Sequence, residues 1–193
     1  DRPYTLDYVE RILDDWFELH GDRGRGDDGA MVSGLGKLDG RTVALVGQQK
    51  GRDIQERARR QFGMANPEGY KKAMRVMELA DLHGFPVITF VDTPGADPRP
   101  PSEADALAAA IGDAVAAVLA CRSPTLGLLV GEGGSGGALA ALVCDRLLRT
   151  STAYFAALVP EGAAAALKSS PQEAAAVLSL RPEDLDQVSD GWR

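Results

Sequence analysis

The sequence predicts a wound α/β fold, formed by one domain of 193 residues. Apolar strand segments alternate with helical segments from Pro86 onward, and polar or glycine-rich loops follow the strands, which is the pattern of strand–strand–helix units. The length suits a single domain that buries its own core. An apolar share of 45% and a charged share of 25% are those of a soluble globular protein.

The predicted elements follow from apolar periodicity and from turn residues. In order, they are a helix at 6–20, strands at 31–38 and 42–47, a helix from Asn66-Pro67 to Gly84, a strand at 87–91, a helix at 103–120, a strand at 126–130, a helix at 138–143, strands at 146–150 and 154–158, and a helix at 162–168.

Each boundary in the first half of the chain has a local cause. Apolar residues at helical spacing begin at Leu6, directly after Thr5, which can cap a helix. Asp39-Gly40 is the strongest two-residue signal for a hairpin. Pro67 suits the first turn of a helix and Gly84 suits its end.

In the second half of the chain, predicted strands and helices alternate more regularly. The runs at 87–91 and 126–130 are short and apolar, and loop residues bound them, which favours buried strands. The segment between them is rich in alanine, a strong helix former. The runs at 146–150 and 154–158 resemble two further strands.

Composition narrows the class of protein. A net charge of −7 argues against general nucleic-acid binding. Cys121 and Cys144 are too few for a disulfide framework or a zinc site, so we expect a reducing, cytoplasmic environment. No segment has the apolar length of a membrane span or the pattern of a signal peptide, so no membrane association is expected.

The most informative segment is the glycine-rich stretch at 131–139, GEGGSGGAL, which contains five glycines. It follows an apolar strand and opens an apolar helix. Glycine allows close approach to the backbone, and the first N–H groups of a helix have no intrahelical partner. The stretch therefore predicts a cluster of free N–H donors directed at a negative charge.

Two other interpretations of this stretch are weaker. Gly131, Gly133 and Gly136 fit the dinucleotide fingerprint, but the match comes late in the chain and the acid that should follow about 20 positions later is missing at that spacing. Ser135 also fits a nucleophile elbow. Both histidines precede it, so the usual order of a serine triad fails, and a Ser/Lys pair with Lys168 stays open.

Several motifs in fixed order carry a family resemblance. They are DTPGA at 92–96, GEGGSGGAL at 131–139, VPEG at 159–162, and the run GQQKGRD…RRQFGM…PEGYKKAMR from Gly47 onward. The chain strongly resembles the carboxyltransferase α subunits of bacterial acetyl-CoA carboxylase, from Arg2 to around Gly191. The resemblance implies the crotonase-like ββα spiral, with residues 1–193 as one α-type domain.

The resemblance also implies an activity. Members of this family move a carboxyl group from carboxybiotin, held by a separate biotin carboxyl carrier protein, to acetyl-CoA or a related acyl thioester, which gives malonyl-CoA. They work as an α2β2-like hetero-oligomer, and the β-type partner carries the zinc and most of the acyl-CoA site. We therefore expect no metal on this chain and activity only with a partner.

The candidate site residues lie in four segments, of which the glycine pair follows from the resemblance and the segment at 50–52 from its cationic character after a strand. Backbone N–H groups of Gly136 and Gly137 would stabilise the ureido anion of biotin, with further donors from Gly95 and Ala96. The residues expected around biotin are Gly133, Gly134, Ser135, Glu161 and Gly162, and those expected to bind the acyl substrate are Lys50 and Arg52.

Each assignment has a plain structural alternative. Gly136 and Gly137 can serve tight helix–strand packing, and the dipeptide Gly95-Ala96 can belong to an ordinary turn. The cationic stretch that contains Lys50 can be a solvated face. Glu161 can simply begin the next helix, where an acid complements the helix dipole.

One segment departs from the family. After DTPGA the family continues with a tyrosine and a glycine-rich stretch, whereas this chain reads DPRPPSEADAL at 97–107. Prolines fix φ and remove N–H donors, so this loop predicts an altered pocket. The departure leaves two further hypotheses: a malonyl-thioester decarboxylase, or divergent acyl-thioester enzyme, that needs no biotin, and a non-catalytic scaffold subunit.

Overall fold

A computed structural model describes residues 2–158, 164, 165, 167–170 and 173. Its helices are α1 (Thr5–Ile12), α2 (Ile54–Arg59), α3 (Pro67–His83), α4 (Pro100–Ala104), α5 (Leu107–Ala120) and α6 (Ser135–Leu142), with a short 3-10 helix at Gln61–Gly63. Its strands are β1 (Asp14–Glu18), β2 (Met31–Leu38), β3 (Arg41–Gln48), β4 (Val87–Thr93), β5 (Thr125–Gly134), β6 (Arg146–Arg149) and β7 (Tyr154–Ala156).

One mixed sheet organises the described residues. Its strand order is β1-β2-β3-β4-β5-β6, and β7 pairs with the end of β5. The pairs β1/β2 and β2/β3 are antiparallel, whereas β3 to β6 run parallel. The carboxyl ends of β3, β4 and β5 therefore meet at one edge, where α/β sheets bind ligands.

The sheet has a core on both faces. Ala44 and Val46 of β3 pack on the face covered by α3 and α5, and the alternate residues Val43 and Leu45 pack on the face covered by α1. This period of two is the geometry of a strand that is buried on both sides. Helices on the two faces thus hold the carboxyl ends of the strands in fixed positions.

Several predicted elements are confirmed. The hairpin of β2 and β3 turns at Asp39 and Gly40, both of which have positive φ, as a tight two-residue turn requires. Asn66 caps α3 by accepting a hydrogen bond from the Gly69 N–H at 3.1 Å. Gly84 ends this helix in the left-handed conformation.

The predicted helix at 6–20 is wrong beyond Ile12. The chain turns at Leu13 and continues as the edge strand β1, which pairs with β2. A Cβ on Gly34 would lie 2.7 Å from the Trp16 ring, so the glycines of β2 make room for this strand. Asp14 and Asp15 also disfavour the C-terminal end of a helix, because its dipole repels acids there. The cap is Tyr4, and the Thr5 hydroxyl donates instead to the Gln48 carbonyl at 2.5 Å.

Three other boundaries need correction. The predicted helix at 103–120 is two helices, α4 and α5, separated at Ala106, which has φ of 62°. Strand β5 continues through the first glycines and ends at Gly134, because β7 pairs with this extension. The predicted strand at 154–158 is only β7. Most of the predicted helix at 162–168, with its beginning, lies outside the described residues.

Candidate functional site

The glycine-rich stretch joins β5 to α6 in a sharp turn. Ser135 begins α6 with φ of 54°, an uncommon conformation for a residue other than glycine. No side chain of the described residues caps α6, so its first N–H groups have no helical or side-chain acceptor in this part of the chain. The turn therefore presents backbone donors at the carboxyl edge of the sheet.

A second loop lies directly against this turn. Any Cβ on Gly134 would collide with the carbonyl of Pro94, and a Cβ on Gly137 would lie only 2.6 Å from the Ala96 nitrogen. Gly136 differs, because its Cβ would meet a single side-chain atom, on Ile111, at 3.5 Å. Glycine is thus required at 134 and 137 by close backbone approach, and not at 136.

The predicted donors differ in their availability. The Gly95 N–H donates to the Thr93 hydroxyl at 3.1 Å, and the Gly95 carbonyl accepts from the same hydroxyl at 2.5 Å. The Ala96 N–H has no acceptor within the described part of the chain. The structure therefore brings Ala96 beside Gly137 and uses Gly95 to fix the loop.

Gly133 has a different place from its neighbours. It pairs with Thr93 of β4 and with Phe155 of β7, inside the sheet. Its Cβ would touch the side chains of Leu129 and Phe155. Gly133 therefore serves strand packing. Glu161 and Gly162 lie outside the described residues.

The serine interpretation gains no partner from the structure. Ser135 is exposed, and its side chain forms no hydrogen bond within the described residues. His20 contacts Asp27 at 3.0 Å, and His83 stacks on Phe85. No contact joins Lys168 to Ser135 in the part of the chain that is described. The positive φ at Ser135 thus shapes the turn, and none of these three side chains contacts Ser135 within the described residues.

A cleft of about 330 Å³ lies beside the turn. It is lined by Arg2, Tyr4, Lys50, Arg57, Phe62, Pro94 and Glu132. Pro94 and Glu132 connect it to the two loops of the glycine site. Phe62 reaches the cleft from a strained segment, because Gln61, Phe62 and Gly63 all have positive φ. Sequence patterns give no signal for such a segment.

A charged network forms the floor of the cleft. The Asp92 carboxylate is buried and receives two bonds from the Arg2 guanidinium, one of them at 2.8 Å. Lys50 Nζ lies 3.2 Å from Asp92 Oδ1 and also pairs with Glu132. The Tyr154 hydroxyl donates to Glu132 at 2.9 Å. The charges of Lys50 and Arg2 are therefore balanced and held in place.

Arg57 is the cation of the cleft that lacks a carboxylate partner in the described structure. Its Nε donates to the Gly51 carbonyl at 3.1 Å, and no acid pairs with its guanidinium. Arg52, which the sequence suggested instead, pairs with Asp7 and stacks on the Tyr4 ring at 4.9 Å. Arg52 thus supports the wall of the cleft and does not line it.

Sequence analysis missed the acids of this network. Asp92 and Glu132 both lie inside quoted motifs, DTPGA and GEGGSGGAL, yet neither acid was assigned a role. An acid at the end of a buried strand needs a cation nearby, and this rule could have linked Asp92 to Lys50. Among the described residues, no three histidines, cysteines or acids lie together as a possible metal site. None of the described helices has the length and apolarity to cross a membrane.

Comparison with known structures defines the class of fold. The chain superposes on a subunit of transcarboxylase 12S, solved with hydrolysed methylmalonyl-coenzyme A bound, with a TM-score of 0.74, 20% identity, and coverage of 91% of this chain and 34% of that one. It matches the β subunit of geranyl-CoA carboxylase from P. aeruginosa with a TM-score of 0.71, 20% identity, and coverage of 99% and 35%. The fold is the crotonase-like α/β fold of carboxyltransferases.

Residues 1–189 match the model of the acetyl co-enzyme A carboxylase carboxyltransferase-like family, and the chain belongs to this family. Two curated relatives are acetyl-coenzyme A carboxylase carboxyl transferase α subunits. The protein of Geobacter sulfurreducens is 49% identical over 97% of this chain and 60% of its own length. A protein of Thermus thermophilus is 47% identical over 97% of this chain and 61% of its own length. The chain thus spans about 60% of these relatives.

Proposed function

We propose that this chain forms the α-type half-site of an acyl-CoA carboxyltransferase, which moves a carboxyl group from carboxybiotin to acetyl-CoA or a related acyl thioester. One observation carries the proposal. The turn at the start of α6 and the loop at 94–96 meet backbone to backbone, at two positions where any Cβ would collide. This close contact supports our proposal that N–H groups from the two segments form one anion site.

These donors suit a developing oxyanion. The first N–H groups of α6 carry the positive end of the helix dipole, and the free N–H of Ala96 lies next to them. Preorganised backbone donors stabilise negative charge without a reorganisation cost. Gly136 and Gly137 therefore act as the principal donors, Ala96 adds another, and Gly95 holds the loop.

The residues present fit carboxybiotin. When bound, carboxybiotin would supply the carboxyl group that is transferred, and its ureido group would carry negative charge for backbone donors to stabilise. Gly134 and Ser135 would shape the turn that holds this ureido group. The small residues of the turn admit a flat ring system close to the backbone.

The cleft would receive the charged part of a ligand. Arg57 offers a guanidinium that no carboxylate neutralises in the described structure, and Lys50 beside it is fixed by Asp92 and Glu132. Guanidinium groups bind carboxylates and phosphates through paired N–H donors. Arg57 thus binds the anionic group, while Lys50 orients it.

A β-type partner is part of the proposal. The glycine site lies at the edge of the sheet, and the relatives that share 47–49% identity with this chain are named as subunits. The partner would complete the acyl-CoA site and carry the zinc, and a biotin carrier protein would deliver the carboxyl group. The complex would be an α2β2-like hetero-oligomer.

Carboxyl transfer to free biotin tests the proposal. The chain is purified with a zinc-bearing β-type partner, and malonyl-CoA-dependent carboxylation of biotin is measured. Transfer that depends on both chains supports the half-site. Loss of CO₂ from malonyl-CoA without any need for biotin would replace it with a decarboxylase, and an intact but inert complex would replace it with a scaffold.

A further inference from the structure

The Tyr70 hydroxyl is an unusual polar group. Tyr70 lies in the first turn of α3 and is only 2% exposed, and its hydroxyl has no hydrogen-bond partner among the described residues. Two other buried side-chain atoms in the described structure share this lack, the Nε atoms of Arg60 and Arg75. Those guanidinium groups donate elsewhere, to Gly29 O at 3.0 Å and His20 O at 2.9 Å. Tyr70 has no second polar atom to compensate.

This hydroxyl lies where the two loops of the glycine site meet. A Cβ built on Gly137 would be 3.0 Å from the Tyr70 oxygen, 2.6 Å from the Ala96 nitrogen and 2.7 Å from the Gly95 carbonyl carbon. The hydroxyl therefore points at the start of α6 and at the peptide group that joins Gly95 to Ala96.

Stability does not explain the hydroxyl. A buried hydroxyl without a partner costs free energy, and phenylalanine would fill the same space without that cost. Burial, with a smaller contribution from the charge of Asp28, raises the pKa of Tyr70, so the group keeps its proton and can donate. A buried donor that is retained despite this loss of stability indicates a state of the protein in which an acceptor is present.

Building on the proposed function, we propose that Tyr70 is a positioning residue of the anion site, whose hydroxyl donates to the Gly95 carbonyl when an anion binds at the start of α6. The peptide group is planar, so its N–H points opposite to its carbonyl. Fixing the carbonyl from one side turns the Ala96 N–H toward the other side and polarises it as a donor.

The local backbone allows this adjustment. Gly95 has φ of 153°, a region that glycine enters readily, and a Cβ there would meet no atom within 4 Å, so this side of the loop is open. The carbonyl already accepts one bond from the Thr93 hydroxyl, and its second lone pair is available. A small rotation of one peptide therefore pairs the two orphan groups, Tyr70 and Ala96, at the same time.

The test compares Tyr70→Phe with Tyr8→Phe in the complex with a β-type partner. Tyr8 is a matched control because it stacks on Phe90 in the core cluster under α1, whereas Tyr70 belongs to the cluster under α3 and α5. Tyr70→Phe is expected to lower kcat for biotin carboxylation about tenfold, the effect of one hydrogen bond. KM for biotin is expected to stay within about twofold. The unfolding midpoint of the free chain is expected to stay the same or rise, because no bond is lost there. Tyr8→Phe is expected to keep the wild-type kcat.

Three results would overturn this inference. The first is a wild-type kcat for Tyr70→Phe in an active complex, which leaves the proposed function standing. The second is a lower unfolding midpoint for Tyr70→Phe than for Tyr8→Phe, since the hydroxyl would then be paired in the free chain. The third is a wild-type complex that transfers no carboxyl group, which removes the proposed function and this inference with it.

Discussion

Alanine at two adjacent glycines should have opposite effects. Gly136 and Gly137 both lie in the first turn of α6, and neither has positive φ, so alanine fits the backbone at each position. Alanine also favours a helix over glycine by about 0.5–1 kcal/mol, which is a shared gain. The two variants therefore differ mainly in what the new methyl group meets.

The size of the difference follows from the contacts. At position 137 the Cβ lies 2.6 Å from the Ala96 nitrogen, about 0.8 Å inside ordinary contact, which begins near 3.4 Å. At Gly136 the single neighbour is at 3.5 Å. Overpacking against fixed backbone costs about 1–3 kcal/mol, so we expect Gly137→Ala to be less stable than Gly136→Ala by that amount.

Turnover should separate the variants further. Gly137→Ala pushes the loop at 95–96 away and misplaces one donor. The activation free energy should rise by about 2.7–4 kcal/mol, which lowers kcat roughly 100- to 1000-fold. Gly136→Ala keeps its N–H in place and should retain nearly full activity. Urea unfolding of the free chain and biotin carboxylation by the complex with its partner measure both effects. Equal stability of the two variants, or wild-type turnover by Gly137→Ala, would refute the reasoning.

Three other predictions address the cleft, acid stability and the turn. Arg57→Gln should raise KM for the anionic substrate several-fold, because one charge-assisted contact is lost. Arg59→Gln, at an exposed position on the same helix, should leave KM unchanged. Steady-state kinetics measure KM for both variants. Burial opposes ionisation of Asp27, but hydrogen bonds from Lys72 and neighbouring groups lower its pKa to about 2. The stabilisation from ionised Asp27 is therefore present above about pH 4 and lost as pH falls toward 2. Asp27→Asn should lower the free energy of unfolding by about 1 kcal/mol at pH 7, after allowance for solvent exposure. Urea unfolding of the two proteins should show this difference in stability disappear on acidification. Gly134→Ala should fail to fold natively by circular dichroism, since its Cβ meets the Pro94 carbonyl.

The elements that were predicted correctly are those that local backbone preferences determine. Asp39-Gly40 and Asn66-Pro67 specify their turn and helix start through backbone preferences alone, and both are confirmed. The stretch at 13–17 shows the limit, because Leu13, Trp16 and Phe17 fit a helical period equally well. Pairing with the glycines of β2 decided the matter, and such a contact between distant residues leaves no local pattern.

In the candidate site, too, some features follow from the local sequence and others only from the folded arrangement. Close packing at Gly134 and Gly137 was signalled by glycine itself, whereas Gly136 looks identical in sequence and differs only in what lies opposite. Arg57 was one of many cations in a basic stretch. Its distinction is the absence of an acid partner within the described structure, which only the folded arrangement reveals.

The proline-rich segment at 97–107 forms a hydrogen-bonded loop and the helix α4 at the edge of the site. Asp97 anchors it: its N–H donates to the Ala65 carbonyl at 3.0 Å, and its buried carboxylate accepts from Ser102 and Arg99. Burial opposes ionisation, but these hydrogen bonds outweigh it and lower the pKa of Asp97.

Pro100 and Pro101 occupy the first turn of α4, where an N–H would lack a helical acceptor in any case. The prolines therefore remove no donor from the anion site, since Ala96 and Gly137 lie before and beyond them in the chain. They belong to the segment that follows the loop at 94–96, where proline fixes φ. The departure thus bears on which ligand fits beside the N–H cluster, and the ability to stabilise an anion there depends on other residues.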